Sequence, residues 1–341
     1  MKVSIQIVTW NSMRYIFDCL ESLMRQSFRD FSVLVIDNGS DDGTVNFIRS
    51  NYPTVSVLQN FKNLGYAKAN NQGILLANSD YVLVMNPDVI LTDEFLAEIV
   101  AFAEQKPDGA SFGGKILKMQ SEAIDQDDVS GLRQAVKSDI IDSAGLQIFK
   151  SRRIVNRGEN DQAEDQSKRP TEIFGLSGAC VLYRKQALTD VMIKNDFFDS
   201  DFFAYKEDVD LAWRLRLYGW TNWYVPKAVS FHHRHLALNA ENGFYQTFQN
   251  RRQISKILRQ LSFRNHHLLL VKNDLPLNLI LNLPWFLGRE LKIIIYSLIF
   301  EPFQWRGVVE FFQYLPGALI KRRVIMGHRK ISAKEIRKWF K

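Results

Sequence analysis

Short apolar runs near the N-terminus alternate with segments of helical periodicity, and a polar turn follows each run. The runs are rich in β-branched side chains and cover residues 3–8, 31–36, 55–58 and 81–85. Such runs predict buried strands, and the segments between them predict helices. Strands that alternate with helices form a mostly parallel sheet with helices on both faces. The sequence therefore predicts a Rossmann-like α/β fold.

Polar residues stand where the predicted strands end, which is where ligands bind in open α/β sheets. Asp37 follows the second run. Its carboxylate could accept the ring N–H of a pyrimidine, although Asp-Asn-Gly-Ser is also good turn chemistry. Asp88 follows the fourth run. Its carboxylate suits Mg²⁺ or Mn²⁺ bound to a diphosphate, although a simple turn accounts for it as well.

Three carboxylates fall within four residues at Glu207, Asp208 and Asp210, between aromatic and apolar neighbours. Such charges repel one another unless a metal, a cation or a proton relieves them. A carboxylate beside aromatic rings can have a raised pKa, which suits a general base. The structural alternative is a charged helix start, with Arg214 and Arg216 as partners.

Histidines His232 and His233 follow another predicted strand, residues 224–231. A histidine at a strand end can bind a metal, because its neutral ring offers a nitrogen lone pair. An ordinary exposed histidine is the alternative for either residue. His232 is the first candidate and His233 its close rival.

Six short motifs occur in a fixed order along the chain. They are Thr9-Trp10-Asn11-Ser12, Asp37-Asn38-Gly39-Ser40, Asn63-Leu64-Gly65-Tyr66 with Asn70-Asn71, Asn86-Pro87-Asp88, Ser177-Gly178-Ala179 and Glu207-Asp208-Val209-Asp210-Leu211. Together they resemble the inverting glycosyltransferase family 2, and most closely its rhamnosyltransferase-like branch. The resemblance covers residues 3–235 and extends weakly to Arg264 and Asn265.

This resemblance implies a GT-A fold and a role for each matching residue. Asp208 matches the catalytic base, with Glu207 beside it. Asp88 matches the second acid of the family's metal-binding D-x-D element, and His232 would be a further ligand for Mg²⁺ or Mn²⁺. Asn86 replaces the first acid, which leaves one carboxylate for the metal. The remaining matches would line the nucleotide and donor pocket: Thr9, Asn11, Asp37, Asn38, Asn63, Gly65, Asn86, Ser177 and Gly178.

The activity implied by the resemblance is transfer of a sugar from a nucleoside diphosphate donor, with inversion at the anomeric carbon. A dTDP-rhamnose-like donor is favoured, and a UDP-hexose or UDP-GlcNAc is the alternative. The acceptor would be a saccharide or a lipid-linked sugar. Cell-surface polysaccharide or O-antigen assembly is the usual setting of this family.

Three other classes of function remain to be weighed. A nucleotidyltransferase or dehydrogenase could use a similar sheet, but no Gly-x-Gly-x-x-Gly follows the first strand to bind a dinucleotide. A degenerate donor-binding module is disfavoured because Asp37, Asp88 and Asp208 are all present. A nucleic-acid binder is disfavoured because residues 1–250 carry 32 Asp and Glu against 26 Lys and Arg.

The C-terminal quarter has a different composition. Residues 251–341 carry 18 Lys and Arg against 5 Asp and Glu, and Trp285 and Trp305 lie among apolar blocks. We expect a catalytic domain over residues 1–240 and a helical, basic, aromatic-rich region over residues 241–341. That region would anchor the protein peripherally to an anionic membrane surface. The alternative is a helical subdomain that packs on the catalytic domain.

A polar insertion interrupts the predicted fold. Residues 120–170 are polar and predict a mobile insertion or lid with a short hairpin near residues 146–155.

Cys19 and Cys180 are too few for a disulfide framework, so we expect buried thiols in a reducing compartment. The sequence opens on a strand instead of a signal peptide. We therefore expect a cytoplasmic protein, peripheral on the cytoplasmic face of the inner membrane.

Overall fold

A computed structural model describes residues 1–120, 136–165, 167–233 and 255–341. The strands within these ranges are β1 (Val3–Thr9), β2 (Phe31–Asp37), β3 (Ser56–Gln59), β4 (Tyr81–Met85), β5 (Val89–Leu91), β6 (Gly109–Gln120), β7 (Val136–Ser143), β8 (Leu146–Ile148), β9 (Ile154–Asn156), β10 (Thr171–Glu172), β11 (Cys180–Arg184) and β12 (Thr221–His233). The helices are α1 (Met13–Met24), α2 (Thr44–Asn51), α3 (Tyr66–Leu76), α4 (Phe95–Glu104), α5 (Lys185–Asp190), α6 (Glu207–Leu217), α7 (Lys256–Asn273), α8 (Pro276–Leu281), α9 (Leu283–Phe300), α10 (Trp305–Gly327) and α11 (Ala333–Arg337).

A large sheet runs through the centre of the protein in the order β10-β12-β6-β11-β4-β1-β2-β3. The run β4-β1-β2-β3 is parallel, which confirms the predicted βα units. Thr9 pairs with Asp37 across β1 and β2, so these two strands end at the same edge. β11 joins β4 in the antiparallel direction, with Cys180 opposite Met85. The residues that follow β1, β2 and β4 therefore meet the residues that precede β11.

The two faces of the sheet carry separate hydrophobic cores, because successive strand side chains point to opposite sides. Ile5 and Ile7 pack on one face with helices α1 and α4. Val82 and Val84 pack on the other face with helices α3, α6 and α7. Helices thus cover both faces, as predicted for this α/β class. Cys19 and Cys180 are buried free thiols, as expected.

The described part of the polar insertion is built into the fold. β7 pairs with β6, and β8 pairs with β9 as the predicted hairpin. The hairpin also meets the C-terminus, where the backbone N–H of Lys150 donates to the carbonyl of Lys341 at 2.8 Å. Residues 121–135 of the expected lid lie outside the described residues. Closure of this insertion stays a prediction.

Long helices form the C-terminal region, as the sequence predicts. α7 packs against α6 and α10, and its residues Leu268, Leu269 and Leu270 join the hydrophobic core that contains Val82 and Val84. α9 contrasts with α7, because it has no buried side chain. Across the ranges that the structure describes, no helix has both the length and the apolar character needed to span a membrane.

Candidate active site

The carboxylate of Asp37 is the centre of a tight turn after β2. Its Oδ1 accepts hydrogen bonds from the hydroxyls of Thr9 at 2.9 Å and Ser40 at 2.5 Å. Its Oδ2 accepts from the backbone N–H groups of Gly39 at 3.1 Å and Ser40 at 2.9 Å. The carboxylate is fully buried. These four bonds make Asp37 a turn-forming residue, and its contact with a pyrimidine stays a prediction.

Two asparagines extend this turn. Asn11 has a left-handed backbone with φ of 51°, and its side-chain oxygen accepts from the N–H of Asp41 at 3.0 Å. Asn38 is buried, and its amide donates to the carbonyl of Gly65 at 3.3 Å. The loops after β1 and β2 and the start of α3 therefore form one hydrogen-bonded rim.

The start of α3 continues this rim towards the neighbouring strand β11. Asn63 accepts the N–H of Gly65 at 2.8 Å, and Gly65 has a φ of +85°. A Cβ at Gly65 would lie 2.5 Å from the ring of Phe203, so no side chain fits there. The hydroxyl of Tyr66 donates to the carbonyl of Gly178 at 2.9 Å. Gly178, in the turn before β11, therefore contacts the predicted donor loops through Tyr66.

Asp208 lies on the other side of Gly178. Its Oδ2 accepts the backbone N–H of Gly178 at 2.9 Å, and its Oδ1 accepts that of Val209 at 2.7 Å. Asp208 belongs to the first turn of α6, where the positive end of the helix dipole favours a carboxylate. Ser177 is half-buried in the same turn as Gly178. The structure therefore brings the predicted base beside the predicted donor loops.

Glu207 differs from Asp208 in its surroundings. The side chain is buried, and its Oε2 has no hydrogen-bond partner among the described residues. Burial, together with the nearby charge of Asp208, raises the pKa of Glu207 to about 8. A carboxyl with this pKa keeps its proton at neutral pH and has no free capacity to act as a base there.

The predicted metal pair also comes together. Oδ1 of Asp88 lies 3.3 Å from Nε2 of His232, because β12 pairs with β5 directly after Asp88. Nδ1 of His232 is 2.9 Å from Oδ2 of Asp142 at the end of β7. Burial opposes protonation of this ring, but its hydrogen bond to Asp142 and the nearby negative charge of Asp88 outweigh it and raise the pKa of His232 to about 9.

The chemistry of this pair fits a divalent metal that takes its other ligands from a diphosphate and water. Asp88 Oδ1 is buried without a hydrogen bond, and a carboxylate behind the far nitrogen of a histidine is the usual support for a metal-bound ring. Within the described ranges, no group of three or more His, Cys, Asp or Glu side chains is placed to hold a metal ion. Among the described residues, Asp88 and His232 are therefore the two candidate protein ligands.

The rival histidine and Asn86 have other contacts. The backbone N–H of His233 donates to the carbonyl of Asp88 at 2.9 Å, while its ring lies 5.5 Å from that of Tyr15. The backbone N–H of Asn86 donates to the carbonyl of Ala179 at 2.9 Å. Both residues border the site through their backbones.

Sequence reasoning missed Asp142. This residue lies in the polar insertion, where an acidic side chain looks like an exposed one, yet its side chain is almost fully buried against His232. The pair Ile140-Ile141 just before it is the signal of a buried strand that could have identified it.

Comparison with known proteins identifies relatives of this architecture. The sequence model of Glycosyl transferase family 2 matches residues 4–192. N-acetylglucosaminyl-diphospho-decaprenol L-rhamnosyltransferase of Mycobacterium tuberculosis is 31% identical over 243 residues, which are 67% of this chain and 74% of that protein. Chondroitin synthase of Escherichia coli is 35% identical over 77 residues, which are 22% of this chain and 11% of that protein.

Solved structures share the fold at low sequence identity. S. aureus TarS matches with a TM-score of 0.57 and 19% identity over 99% of this chain and 54% of its own. GalNAc-T7 with UDP, GalNAc and Mn²⁺ matches with a TM-score of 0.57 and 14% identity over 80% of this chain and 48% of its own. The chain therefore spans about half the length of each of these two structures.

The family match covers more than half of the chain, and the M. tuberculosis relative agrees with it. The family match covers the loops after β1, β2 and β4 and Asp88. The solved structures agree with the fold. The chain therefore belongs to glycosyltransferase family 2 and is a glycosyltransferase with the GT-A fold.

Proposed function

We propose that the protein transfers rhamnose, or a closely related deoxysugar, from a nucleoside diphosphate to a sugar carried by a lipid. The observation that carries this proposal is the position of Asp208, whose carboxylate contacts Gly178 while Gly178 contacts the loop of Tyr66. The similarity to a rhamnosyltransferase supports the choice of sugar and acceptor. Such an acceptor belongs to cell-surface polysaccharide or O-antigen assembly.

The chemistry follows from a base fixed beside a donor pocket. Asp208 accepts the proton of an acceptor hydroxyl, and the oxygen bonds to the anomeric carbon from the face opposite the leaving group. The bond from that carbon to the diphosphate breaks as the new bond forms, so the configuration inverts. The nucleoside diphosphate leaves with the bonding electron pair. Neutral Glu207 limits the negative charge around the base.

Asp88 and His232 are the residues that would hold Mg²⁺ or Mn²⁺. The metal supplies positive charge where the leaving diphosphate gains negative charge. Asp142 fixes the orientation of the His232 ring, so that Nε2 faces Asp88.

The donor itself would lie along the rim of hydrogen-bonded loops. Its proposed contacts are Thr9, Asn11, Asp37, Asn38, Asn63, Gly65, Asn86, Ser177 and Gly178. Several of these hold the loops in shape through their side chains, which pre-forms a pocket before the donor binds.

Donor turnover tests this proposal. The purified protein is incubated with dTDP-rhamnose, UDP-glucose, UDP-GlcNAc or GDP-mannose, with Mn²⁺ or EDTA, and a lipid-linked GlcNAc acceptor. We expect metal-dependent transfer from dTDP-rhamnose, which Asp208→Asn lowers by about 10²- to 10⁴-fold. Asp190→Asn changes a carboxylate on α5 outside the site and serves as the matched control.

The outcomes of this assay separate the alternatives. Transfer from UDP-glucose or UDP-GlcNAc alone would replace the proposed sugar and keep the mechanism. Donor binding without transfer would make the protein a donor-binding module. Full activity of Asp208→Asn would remove Asp208 as the base.

The C-terminal helices supply a proposed membrane-binding surface, defined here as the exposed apolar side chains of α8, α9 and α10. On α9, Trp285 is 53% exposed, Leu291 is 59% exposed and Ile295 is 48% exposed, and on α10 Trp305 is 59% exposed. Water does not favour so large an apolar surface, whereas a membrane interface accepts both its apolar and its aromatic groups. The excess of Lys and Arg in this region favours an anionic leaflet, on the cytoplasmic side of the inner membrane.

Vesicle sedimentation tests the membrane-binding surface. We expect the protein to bind phosphatidylglycerol vesicles at low salt and to release as salt rises. Leu291→Asp with Ile295→Asp should abolish binding, whereas Leu75→Asp, at an equally exposed leucine of α3, should not. Unchanged binding of the α9 variant would show that another surface meets the vesicle.

A further inference from the structure

An open cavity of about 190 Å³ lies beside the loop that leads into α6. Its walls come from the β8–β9 hairpin, the loop before α6, and helices α7 and α9. Most of its titratable wall residues are basic: Arg153, Lys206, Arg259, His266, His267 and Arg289. None of the residues proposed to bind the donor or the metal lines it. The cavity is therefore a second site, separate from the donor pocket.

The positive charge of this cavity exceeds its negative charge. Arg259 pairs with Glu301 at 2.6 Å and Arg289 with Glu290 at 2.5 Å. Among the residues that the structure describes, Lys206 makes no ion pair and no side-chain hydrogen bond. The same is true of the side chain of Arg153. Two cationic side chains therefore line the cavity without a described carboxylate in ion-pair contact with them.

The basic groups also act on one another. Burial and the charge of Arg289 lower the pKa of Lys206, although Asp208 opposes the shift. Burial and the same charge hold the pKa of His266 well below its usual value. Arg289 Nη1 lies 3.0 Å from the Nε2 of His266, so the ring nitrogen acts as an acceptor. An anion in the cavity would relieve this repulsion, because it would supply the missing negative charge.

Arg259 adds a group that needs a partner. Its Nε is buried and has no hydrogen bond to any described residue. A buried donor without an acceptor is unfavourable, and a phosphate oxygen is a strong acceptor for a guanidinium group. The cavity thus lacks both negative charge and a hydrogen-bond acceptor.

The place of the cavity relates it to the acceptor. Lys206 is two residues before Asp208, so their Cα atoms are at most about 7 Å apart, a distance that one sugar ring can bridge. On its other side the cavity is bordered by Ile293 of α9, the helix that carries much of the exposed apolar surface. From Asp208 outward, there is room for one sugar, then the basic cavity, and then the exposed apolar surface of α9.

We propose that this cavity binds the diphosphate of a prenyl diphosphate-linked acceptor whose first sugar receives the transferred residue. This inference rests on the proposed function and specifies its acceptor. The guanidinium groups of Arg153, Arg259 and Arg289 and the ammonium group of Lys206 contact the phosphate oxygens. The acceptor sugar extends from there to Asp208, and the prenyl chain extends along α9.

Titration calorimetry on the full chain tests the site without relying on activity. Farnesyl diphosphate, inorganic pyrophosphate and farnesol are titrated in EDTA, which removes the divalent metal that a donor site would use. We expect the two diphosphates to bind and farnesol not to bind. Arg153→Gln and Arg289→Gln should each weaken binding at least about 10-fold, while Arg306→Gln, at an exposed arginine of α10, should leave it unchanged.

Three results would overturn this proposal. The first is equal affinity of the wild type and the two cavity variants for farnesyl diphosphate. The second is binding of farnesol as tight as that of farnesyl diphosphate. The third is loss of binding to phosphatidylglycerol vesicles in Arg153→Gln while farnesyl diphosphate binding is retained, because the cavity would then serve lipid headgroups in general.

Kinetics separates this inference from the proposed function. With a GlcNAc-diphosphate-prenyl acceptor, Arg153→Gln and Arg289→Gln should raise the acceptor KM about 10-fold and leave the donor KM unchanged. With a neutral alkyl GlcNAc glycoside, the same variants should have the acceptor KM of the wild type. Transfer with unchanged acceptor KM in the variants would refute the cavity alone. Diphosphate binding without transfer from any donor would refute the transferase proposal alone.

Discussion

The side-chain amide nitrogen of Asn265 on α7 lies 2.8 Å from the carbonyl oxygen of Tyr205, in the loop that leads into α6. The same nitrogen is 2.8 Å from the carbonyl of Phe202 and 2.9 Å from that of Ala204. Tyr205 and Lys206 have φ values of 70° and 72°, which residues other than glycine rarely adopt. The C-terminal region therefore holds the strained loop that leads into α6, the helix of the proposed base Asp208.

Removal of this amide should loosen the loop. Asn265→Ala leaves buried carbonyls without a donor, at a cost of about 1–3 kcal/mol in the free energy of unfolding. Because Asp208 follows the loop directly, we also expect kcat to fall about 10- to 100-fold. Steady-state kinetics and urea unfolding measure the two effects.

Asn278→Ala is the matched control for this change. Asn278 is also buried, and it donates to the carbonyl of Ala333 at 2.8 Å, away from the loop. It should lose stability and keep kcat. Equal kcat values for the two variants would contradict a positioning role for Asn265.

Two glycines with positive φ differ in backbone region and in the space around them: Gly43 is left-handed with ψ of −1°, whereas Gly65 has ψ of 162°, a region that is essentially restricted to glycine. Gly43 has a φ of +89° and open space where a Cβ would lie, whereas at Gly65, with φ +85°, a Cβ would be 2.5 Å from Phe203. Gly43→Ala should cost only the left-handed backbone, about 1–2 kcal/mol. Gly65→Ala should cost about 1–3 kcal/mol more, measured by urea unfolding, because its backbone region excludes a side chain and because the Cβ would overlap Phe203.

Activity provides the second part of this comparison. Gly65→Ala must displace Phe203 or the start of α3, so the donor KM should rise or kcat should fall, whereas Gly43→Ala should retain both. Equal losses of stability for the two alanine variants would mean that Phe203 moves away at no cost. The contact of Gly65 with Phe203 would then have no part in shaping the pocket.

Much of the fold was predictable because local patterns dictate it. The four apolar runs became β1 to β4, and the polar residues after them met at one edge, since parallel strands end together. Asp88 and His232 were predicted as a pair and lie 3.3 Å apart. In each case a short segment contains both the strand signal and the polar residue.

Other features depend on contacts between distant segments and were not predictable. Asp142 supports His232 only because β7 pairs with β6 and β6 with β12. Lys272 belongs to the basic C-terminal region, where a lysine looks exposed. It is instead buried, with its Nζ 2.8 Å from Asp210 of α6. No local pattern of residues indicates such a pairing in advance.

The raised pKa of Glu207 predicts a pH-dependent stability. A carboxyl whose pKa is about 8 in the folded protein and ordinarily 4.5 stabilises the fold fully below pH 4.5 and loses that contribution as the pH rises to about 8. Between these limits the slope from one such group approaches about 1.4 kcal/mol per pH unit. Glu207→Gln, which is neutral at every pH, should flatten the curve of unfolding free energy against pH between 5 and 8.

Urea unfolding of both proteins across this range measures the difference. The unfolding free energy of the variant minus that of the wild type should therefore be larger at pH 8 than at pH 5. Parallel curves for the wild type and Glu207→Gln would mean that Glu207 is ionised in the folded protein. Glu207 would then have to be reconsidered as a second candidate base.

The ion pair of Arg152 and Asp274 connects the hairpin insertion to the turn between α7 and α8. The Nε of Arg152 lies 2.7 Å from Oδ2 of Asp274, and both side chains are almost fully buried. Arg152→Met leaves the Asp274 carboxylate buried without its partner, which should cost about 3–5 kcal/mol of unfolding free energy. Adding Asp274→Asn removes the stranded charge, so the double variant should recover a large part of that loss.

Lys330→Met is the control, because Lys330 forms an exposed ion pair with Asp190 at 3.3 Å and should cost less than about 1 kcal/mol. Urea unfolding monitored by tryptophan fluorescence measures all four proteins. A single transition that shifts as a whole in Arg152→Met would mean that the insertion and the C-terminal helices unfold together with the sheet. Two separate transitions, only one of which shifts, would instead make the C-terminal region an independent unit and remove the basis for its control of the loop before α6.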